Sequence, residues 1–372
     1  MELLDSRPPD FAEQTNRVLA ALGFPCRASL SSGGLGMFAT RRIRRGEELA
    51  REAPLTMTVV RAAAEHTCAV CLADSRAAAA APRWARACAG CGGVRFCSAA
   101  CEAAAAAAHA GAECAARAAL ASTGATCDDG DLLAQAVRLL AHRAAARRAE
   151  VLPGLWGAYE SYAARLVGVA RRVALAHTAA PIRDVVDACL GALPGEARVP
   201  REELFDVLNR HQCNVYAVLG READELASAS FVGVLHLFNH ACNPNAAFDC
   251  KPRGAVHGDG SPREAEGGAG PYFSLVALRD VEEGEELCVA YTSTADGPSE
   301  RQEHLRNHYG FDCACERCSC NDPMREIEIG EAFDNMRCVY DDCGTGYAVP
   351  TADHRLRCLH CDRSWSDDED EP

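Results

Sequence analysis

Cysteine is the residue type that offers this chain the most chemistry. The sequence contains 22 cysteines in 372 residues. A cytosolic or nuclear chain is kept reduced, so this number points to bound metal rather than to disulfides. Fifteen cysteines fall into three clusters, many of them as pairs with two or three residues between them. Such spacing lets one turn of backbone present both sulfurs to one ion, and zinc is the predicted metal.

The first cluster has enough ligands for two zinc ions. Seven cysteines and one histidine lie within residues 68–114, and eight soft ligands suffice for two closed, structural tetrahedral sites. A segment this short has too little apolar core to fold without metal, so ordinary thiols are the weaker interpretation. The predicted ligands are Cys68, Cys71, Cys97 and Cys101 for the first zinc, and Cys88, Cys91, His109 and Cys114 for the second.

The last cluster resembles a zinc ribbon in its spacing. It consists of Cys338, Cys343, Cys358 and Cys361 as ligands of a fourth zinc. The four residues inside its first pair make the spacing loose, so unligated thiols are an alternative. The cysteines outside the clusters are predicted to be buried as small hydrophobic residues. These are Cys26, Cys127, Cys189, Cys213, Cys250, Cys288 and Cys320.

A second kind of chemistry is indicated by polar residues in apolar surroundings. The segment NHACNPNAAF at 239–248 places a histidine among asparagine, cysteine and proline, which a purely structural strand does not need. A histidine satisfied within the core is the alternative. The run GEELCVAYTS ends a strand in Tyr291, which by itself would be a packed aromatic, and SGGLGMFATRR taken alone favours a simple hairpin.

The elements that must position these motifs form two β regions separated by helices. Residues 24–60 alternate a glycine-rich turn with β-favouring pieces and predict short hairpin strands. Residues 115–208 have apolar positions at helical spacing and predict a helical bundle. Short apolar runs return from 211 to 292, interrupted at 251–270 by a Gly-rich polar stretch that we expect to be a mobile loop. A short charged helix, SERQEHLRNHY, follows.

Composition and charge narrow the functional classes. With 48% hydrophobic and 24% charged residues the chain is typical of a globular protein, and its apolar runs are shorter than the roughly 18 residues that a bilayer span needs. A net charge of -15 disfavours nucleic-acid backbones and favours a basic partner. The amino terminus, MELLDSRPPD, lacks the apolar core of a secretory signal. A nuclear or cytoplasmic location is therefore expected.

In this order the motifs resemble one family, the SET-and-MYND (SMYD-type) protein lysine methyltransferases. GGLGMFA is similar to the family's Gly-x-Gly cofactor turn, the first cysteine cluster to a MYND finger, NHACNPN to the SET pseudoknot motif, and YGFDCACERC to the post-SET segment. AYTS carries the family's tyrosine, and QCNVY resembles its Cys-Asn step. The resemblance covers roughly residues 20–320. It departs at the His109–Cys114 spacing, one residue longer than usual, and at NHAC, where NHSC is common.

The resemblance implies an α+β fold class. We expect a SET-domain β fold with a pseudoknot, split by an inserted MYND zinc finger and a helical block, and followed by a post-SET zinc segment and a small zinc-ribbon-like tail. The predicted boundaries are 20–65 for the N-terminal part of SET, 66–114 for the finger, 115–208 for the helical insert, 209–292 for the C-terminal part of SET, 293–320 for the post-SET segment, 321–365 for the ribbon and 366–372 for an acidic tail.

The resemblance also implies a pocket for S-adenosyl-L-methionine that meets a lysine channel. Tyr291 is the predicted catalytic residue and orients the lysine amine, while Tyr309 and Phe311 are predicted to wall the channel and cover the adenine. A third zinc is predicted to join the pseudoknot to the post-SET segment through Cys242, Cys313, Cys315 and Cys318. The predicted cofactor-binding residues are Gly34, Leu35, Gly36, Asn214, Asn239, His240, Tyr291 and Phe311.

The predicted function is methylation of protein lysines, on a histone tail or another basic protein, by a monomeric enzyme. The alternative is a chromatin co-regulator whose MYND finger binds a proline-containing peptide while its SET domain is weak or inactive. Intact Asn239, His240 and Tyr291 favour the enzyme, because a degenerate domain has no need of them. Neither a membrane partner nor strong nucleic-acid binding is expected.

Overall fold

The structure is a computed structural model of the chain. The predicted loop from 252 to 270, the acidic tail from 367 and three scattered cysteines (Cys127, Cys189 and Cys213) lie outside the described residues. Within the described ranges, no helix has the length and hydrophobicity needed to cross a bilayer. The structure describes residues 3–5, 11–31, 34–76, 83–109, 112–123, 133–140, 167–169, 187, 190–191, 193, 195, 198–212, 214–219, 225–230, 234–251, 271–320, 322–334, 336–340, 343, 346–351, 353 and 355–366.

Short strands and short helices alternate along the chain. The helices are α1 (Phe11–Ala21), α2 (Ala99–His109), α3 (Ala112–Thr123), α4 (Arg201–Gln212), α5 (Pro298–His308), α6 (Glu316–Ser319) and α7 (Pro323–Asp334), with 3-10 turns at Arg61–Ala63 and Leu235–Leu237. The strands are β1 (Leu3–Asp5), β2 (Cys26–Ser31), β3 (Gly34–Ala39), β4 (Glu48–Glu52), β5 (Thr56–Val59), β6 (Arg86–Ala87), β7 (Arg95–Phe96), β8 (Val167–Val169), β9 (Tyr216–Leu219), β10 (Glu225–Ser230), β11 (Asn239–His240), β12 (Ala246–Lys251), β13 (Tyr272–Ala277), β14 (Glu286–Val289), β15 (Ala348–Pro350), β16 (Leu356–Cys358) and β17 (Ser364–Trp365).

Both predicted β regions contribute strands to the same sheets. Strand β3 pairs with β2 in a hairpin and with β14 from the far end of the second region. Strand β11 pairs in parallel with β14, which places Asn239 opposite Cys288 and His240 opposite Val289. Two antiparallel sheets, β12-β13-β4 and β5-β10-β9, also combine strands from both regions. Because each sheet combines strands from both regions, the two halves form one β fold, as expected.

The core between these sheets also includes helix α1. Met37, Ile43 and Leu275 are fully buried in it, and Leu19 of α1 belongs to the same cluster. The helix is followed by Phe24, whose ring lies 6.2 Å from that of Phe238. The predicted boundary at residue 20 therefore falls inside a helix that packs on the β core.

The predicted helical block is not purely helical. Helices α3 and α4 and the helical residues 133–140 share a second core that contains Val137 and Leu204. However, β8 lies in this block and pairs antiparallel with β1 at the amino terminus. Three residues are too few to produce a detectable strand period, which is why the sequence did not predict β8.

The carboxyl-terminal segment packs on the β core that the two regions form. Its strands form the sheet β15-β16-β17. Val349 and Leu359 pack with Val276 at the end of β13. Gly46 has a φ of +82° and approaches this segment so closely that a Cβ there would lie 2.9 Å from the backbone oxygen of Pro350. Glycine suits this position because of both its φ and its lack of a side chain.

Candidate active site and metal centres

Tyr291 is held at two points by the segment that contains β11. Its hydroxyl donates a 2.5 Å hydrogen bond to the backbone oxygen of Phe238. Its backbone N–H donates a 3.0 Å hydrogen bond to Nδ1 of His240. The tyrosine follows β14, and the parallel pairing of β14 with β11 brings the two segments together.

His240 connects Tyr291 to the third cysteine group. Burial lowers the pKa of His240 to about 4, so the imidazole is neutral at pH 7. Nδ1 accepts from Tyr291, so the ring proton of the neutral tautomer lies on Nε2. Nε2 is 3.1 Å from Sγ of Cys242 and is oriented to donate to it. Both ring nitrogens therefore contact protein groups in this arrangement.

Asn239 clamps β3 against β14. Its amide nitrogen donates to the backbone oxygen of Leu35 at 3.1 Å and to Oε1 of Glu286 at 2.8 Å. Gly36 faces the same carboxylate, and a Cβ at this position would collide with Glu286. The glycines predicted as a turn, Gly34 and Gly36, lie within strand β3. The glycine requirement at Gly36 therefore comes from the close approach of Glu286, not from a turn.

The predicted aromatic residues gather around Tyr291. The ring of Tyr309 lies 4.8 Å from that of Tyr291, and the ring of Phe311 lies 6.1 Å from that of His240. All three aromatic residues pack against a small buried cluster that contains Cys242 and Cys313. The structure thus brings together residues that the sequence separates widely.

Asn214 lies just before strand β9, which belongs to a different sheet from that of Asn239. It is half-buried and precedes β9, which pairs with β10. Two residues later, the hydroxyl of Tyr216 donates to the backbone oxygen of Leu235 at 2.9 Å. Leu235 begins the turn that leads into β11, so the β9 segment is tied to the approach to the candidate site.

Asn245 has a structural role in the site. It lies within the NHACNPNAAF motif, but the sequence did not predict a role for it. It is 3% exposed. Its amide donates to the backbone oxygen of Glu286 at 2.9 Å and its oxygen accepts from the N–H of Cys288 at 2.8 Å. These bonds satisfy a buried amide and fix the pseudoknot segment against β14.

Two buried arginines and one glutamate tie α7 to the same region. Arg301 is 0% exposed and Arg317 is 5% exposed. Oε1 of Glu326 accepts from Arg301 at 3.1 Å and from Arg317 at 2.8 Å. Arg317 also donates to the backbone oxygens of Thr294 at 2.7 Å and Cys242 at 3.3 Å. The burial of Arg301 is indicated in the sequence by its position one helical turn before Leu305, so that both residues lie on the same buried face of α5.

The structure gathers the predicted metal ligands into the same four groups that the sequence suggested, and within each group the ligand atoms lie within 4.8 Å of one another. Measured Sγ–Sγ distances include 3.5 Å for Cys71–Cys97 and 3.4 Å for Cys242–Cys318. Sulfurs bound tetrahedrally at about 2.3 Å from zinc are about 3.8 Å apart, whereas a disulfide requires about 2.05 Å. The donor sets and spacings therefore fit zinc.

Charge supports a cation at the third group. Hydrogen bonding with neighbouring thiols, together with burial, raises the pKa of Cys242, whereas hydrogen bonds with Cys242 and Cys313 lower the pKa of Cys315. Four thiolates around one zinc carry a net charge of -2 by formal count. The guanidinium of Arg301 interacts with both Cys242 and Cys318. It places positive charge beside the thiolates in a buried setting, where unpaired charge is costly.

The unclustered cysteines do not all behave as predicted. Cys26 is buried, but Cys250, Cys288 and Cys320 are only partly buried. The prediction that these residues are buried hydrophobic residues is thus wrong for three of the four described examples. Cys250 of β12 is partly buried against the main core, and Cys288 alternates with the buried Leu287 and Val289 in β14.

The family model of the SET domain matches residues 34–292, which is more than half of the chain. This chain belongs to the SET domain family. The match begins at β3 and ends just after Tyr291, so it includes both β regions of the fold. The relation to SET-and-MYND proteins is also confirmed, since the relatives of this SET-domain protein include human N-lysine methyltransferase SMYD2 at 27% identity over 123 residues, 33% of this chain and 24% of the relative.

Two further relatives show how much of each chain is shared. Histone-lysine N-methyltransferase SMYD3 of Homo sapiens is 28% identical over 132 residues, 36% of this chain and 26% of the relative. Histone-lysine N-methyltransferase ASHR1 of Arabidopsis thaliana is 23% identical over 164 residues, 44% of this chain and 30% of the relative. This SET-domain protein therefore spans less than a third of the length of these relatives.

Solved structures also resemble the chain at low identity. The SET domain of LSMT bound to lysine and AdoHcy has 16% identity and a TM-score of 0.38, covering 87% of this chain and 64% of that one. A structure of Rubisco LSMT bound to AdoMet has 13% identity and a TM-score of 0.37, covering 87% of this chain and 63% of that one.

Proposed function

We propose that this SET-domain protein is an S-adenosylmethionine-dependent protein lysine N-methyltransferase. One observation carries the proposal: the Tyr291 hydroxyl is held by the Phe238 carbonyl, beside the Asn239–His240 strand and the ring of Tyr309. The names of SMYD3 and ASHR1 as histone-lysine methyltransferases support the same reaction.

The hydroxyl of Tyr291 suits the positioning of an amine. Its hydrogen is donated to Phe238, so its oxygen acts only as an acceptor at further contacts. Such an oxygen can accept from a lysine N–H and from a polarised methyl C–H without removing a proton. Methyl transfer is an in-line displacement, and alignment of the two reactants is a large part of what a protein contributes to it.

The aromatic surroundings help to make the lysine nucleophilic. A lysine with a pKa of about 10.4 is an ammonium at neutral pH, and its deprotonation there costs roughly 4 to 5 kcal/mol. Burial beside Tyr291 and Tyr309 disfavours the ammonium and lowers that cost. S-adenosylmethionine, when bound, supplies the methyl group and a positive sulfonium that disfavours the ammonium further.

We assign the cofactor to the surface formed by β3 and β11. The backbone of Gly34, Leu35 and Gly36 forms this surface, and Gly34 lets a ligand approach the backbone closely because it lacks a side chain. Asn239 supports this surface by fixing β3 to Glu286. Asn214 and Phe311 remain proposed cofactor contacts, on the β9 side and the post-SET side respectively.

The zinc groups have separate proposed roles. The groups at Cys68 and Cys88 would form a MYND finger that recruits a proline-containing peptide, and the group at Cys242 would close a post-SET lid that carries Tyr309. Structural zinc contributes folding energy directly, so each site would hold its own segment.

The net charge of -15 favours a basic protein substrate such as a histone tail. We further propose that the protein is a monomer located in the nucleus or the cytoplasm.

The decisive experiment measures transfer of tritium from labelled S-adenosylmethionine to a panel of histones and to a cell lysate. We expect labelled protein with the wild type and none above background with Tyr291→Phe. Isothermal titration with the cofactor accompanies the assay. Cofactor binding without transfer to any substrate in either panel would instead support the interaction module, and absence of both would reject the enzyme assignment.

A further inference from the structure

A buried acid lies directly behind the second zinc group. Glu113 in α3 precedes the ligand Cys114 and is 1% exposed. Its Oε2 lies 3.4 Å from Nδ1 of His109. The other ring nitrogen of His109, Nε2, lies 3.4 Å from Sγ of Cys91. One ring nitrogen thus faces the sulfur ligands and the other faces the carboxylate.

This arrangement suits an outer-sphere partner of a metal-bound histidine. If Nε2 ligates zinc, Nδ1 must carry the proton and can donate it to Glu113. A carboxylate in that position fixes the tautomer and the orientation of the ring, and it makes the ligating nitrogen more basic. Glu113 fits this role because its carboxylate is buried and held in place.

Two arginines also contact the carboxylate of Glu113. Nε of Arg117, one turn along α3, donates to Oε1 at 3.0 Å. Nη1 of Arg138 lies 3.5 Å from Oε2. The same Nη1 donates a 2.7 Å hydrogen bond to the backbone oxygen of Met57. Met57 belongs to β5, so Arg138 contacts both the acid behind the zinc group and a strand of the SET core.

Charge and packing make this connection important. Three thiolates and one neutral histidine around zinc carry a formal charge of -1, Glu113 adds another, and the two arginines balance both. Buried charges of this kind are stable only while their partners remain in place. A cavity of about 220 Å³ opens between the cysteine module, which is the segment 68–114, and the SET core. Val70 lines it on the first side and Leu55 on the second. Apolar packing is therefore incomplete around this cavity, and the ion pairs add to the attachment that Leu72 provides by its burial in the main core.

We infer that Glu113 is a positioning residue for the zinc at Cys88, Cys91, His109 and Cys114, and that Arg138 couples this zinc site to β5. Loss of the metal frees His109, so Glu113 loses the imidazole as a fixed partner. Its carboxylate then draws more strongly on Arg138, which weakens the hydrogen bond from Arg138 to the backbone oxygen of Met57. The cysteine module and the SET core are then coupled, because binding or loss of zinc in the module changes the contacts of β5.

The test compares Glu113→Gln and Arg138→Met with a control in the same module, Glu102→Gln. The control removes a surface carboxylate that pairs with Arg86 at 2.7 Å. A colorimetric chelator measures the release rate of each zinc from the full chain, and cysteine alkylation identifies the site that empties. Hydrogen exchange of the peptide covering Thr56–Val59 reports on β5.

The expected result has two parts. Glu113→Gln should lose the zinc at Cys88 about 10- to 100-fold faster than wild type, in line with the loss of an outer-sphere partner, while the other sites release zinc at the wild-type rate. Emptying that site in the wild type should accelerate exchange of β5, and in Arg138→Met exchange should be fast already and no longer respond. Glu102→Gln should match the wild type in both measurements.

Two outcomes would overturn the inference. One is an unchanged release rate from Glu113→Gln. The other is exchange of β5 in Arg138→Met that still responds to zinc removal as in the wild type. If Glu113→Gln does not fold, Arg138→Met decides the question alone, because the loss of the response requires only that variant.

Discussion

The backbone N–H of Tyr291 donates a 3.0 Å hydrogen bond to Nδ1 of His240, a residue 51 positions earlier in the chain. The two rings lie 5.4 Å apart. The hydroxyl of the same tyrosine is held by Phe238, two residues before His240. Tyr291 is therefore fixed at its backbone and at its hydroxyl by one short segment, so protein contacts alone orient the hydroxyl.

Tyr291→Phe should separate cofactor binding from methyl transfer. We expect cofactor affinity within about threefold of wild type and a transfer rate at least about 100-fold lower, because only the hydroxyl positions the reacting atoms. Titration calorimetry and tritium transfer at saturating cofactor measure the two effects. The matched control is Tyr347→Phe, which removes a hydroxyl 3.1 Å from Thr294 Oγ1. Full activity in Tyr291→Phe would show that its assigned role is wrong.

Lys251→Arg should abolish any self-methylation. Lys251 is the only lysine in the sequence and is the last residue of β12. Wild-type protein incubated with tritiated cofactor and no substrate should carry label at this residue alone, if it carries any. Peptide mass spectrometry locates the label. Label that persists on the variant would point to the amino-terminal amine instead.

Removal of a ligand from the third zinc group should affect the cofactor more than removal from the second. Cys313→Ser releases the segment that carries Tyr309 and Phe311, so both cofactor affinity and transfer rate should fall. Cys88→Ser should lower the zinc content equally, by one ion per chain, with a smaller effect on the cofactor. Metal analysis and calorimetry on the same samples test this order. Equal cofactor affinity in Cys313→Ser and wild type would reject the proposed lid.

Glu326→Gln should loosen the contact between α7 and the third zinc group. The carboxylate serves two buried arginines at 3.1 and 2.8 Å. Its loss leaves their charges undercompensated, so the free energy of unfolding should fall by about 1 to 3 kcal/mol. The control on the same helix is Glu328→Gln, whose partner Arg325 lies at the surface. Urea unfolding of both variants measures the difference, and equal midpoints would contradict the prediction.

Asn245→Ala should destabilise the pseudoknot more than Asn243→Ala. Asn245 is 3% exposed, and its loss leaves buried backbone groups of β14 without their partners, at a cost of about 2 kcal/mol or more. Asn243 makes a longer contact of 3.4 Å with Glu316 near the surface, so its replacement should change stability by about 0.5 kcal/mol or less. Thermal unfolding followed by circular dichroism tests this difference, and similar melting temperatures would reject it.

Some features of the site follow from local pattern. The spacings of Cys68–Cys71 and Cys358–Cys361 identify paired ligands because one turn of backbone sets the distance between two nearby sulfurs. The strand runs that precede Tyr291 and that contain Gly36 were also predictable, since their periodicity is short-range. The family match over 34–292 agrees with the organisation that these motifs indicate.

The sequence by itself therefore predicted the four groups of candidate metal ligands, the residue types of the candidate site and the division of the β fold into two regions. Only the tertiary structure decided that Glu286 occupies the space beside Gly36, that Glu326 joins two buried arginines, and that Arg138 reaches Met57, 81 residues away. Contacts between distant residues depend on how the sheets and helices pack, and that packing has no local period in the chain. A buried charge also resembles a surface charge in the sequence until the fold places its partners around it.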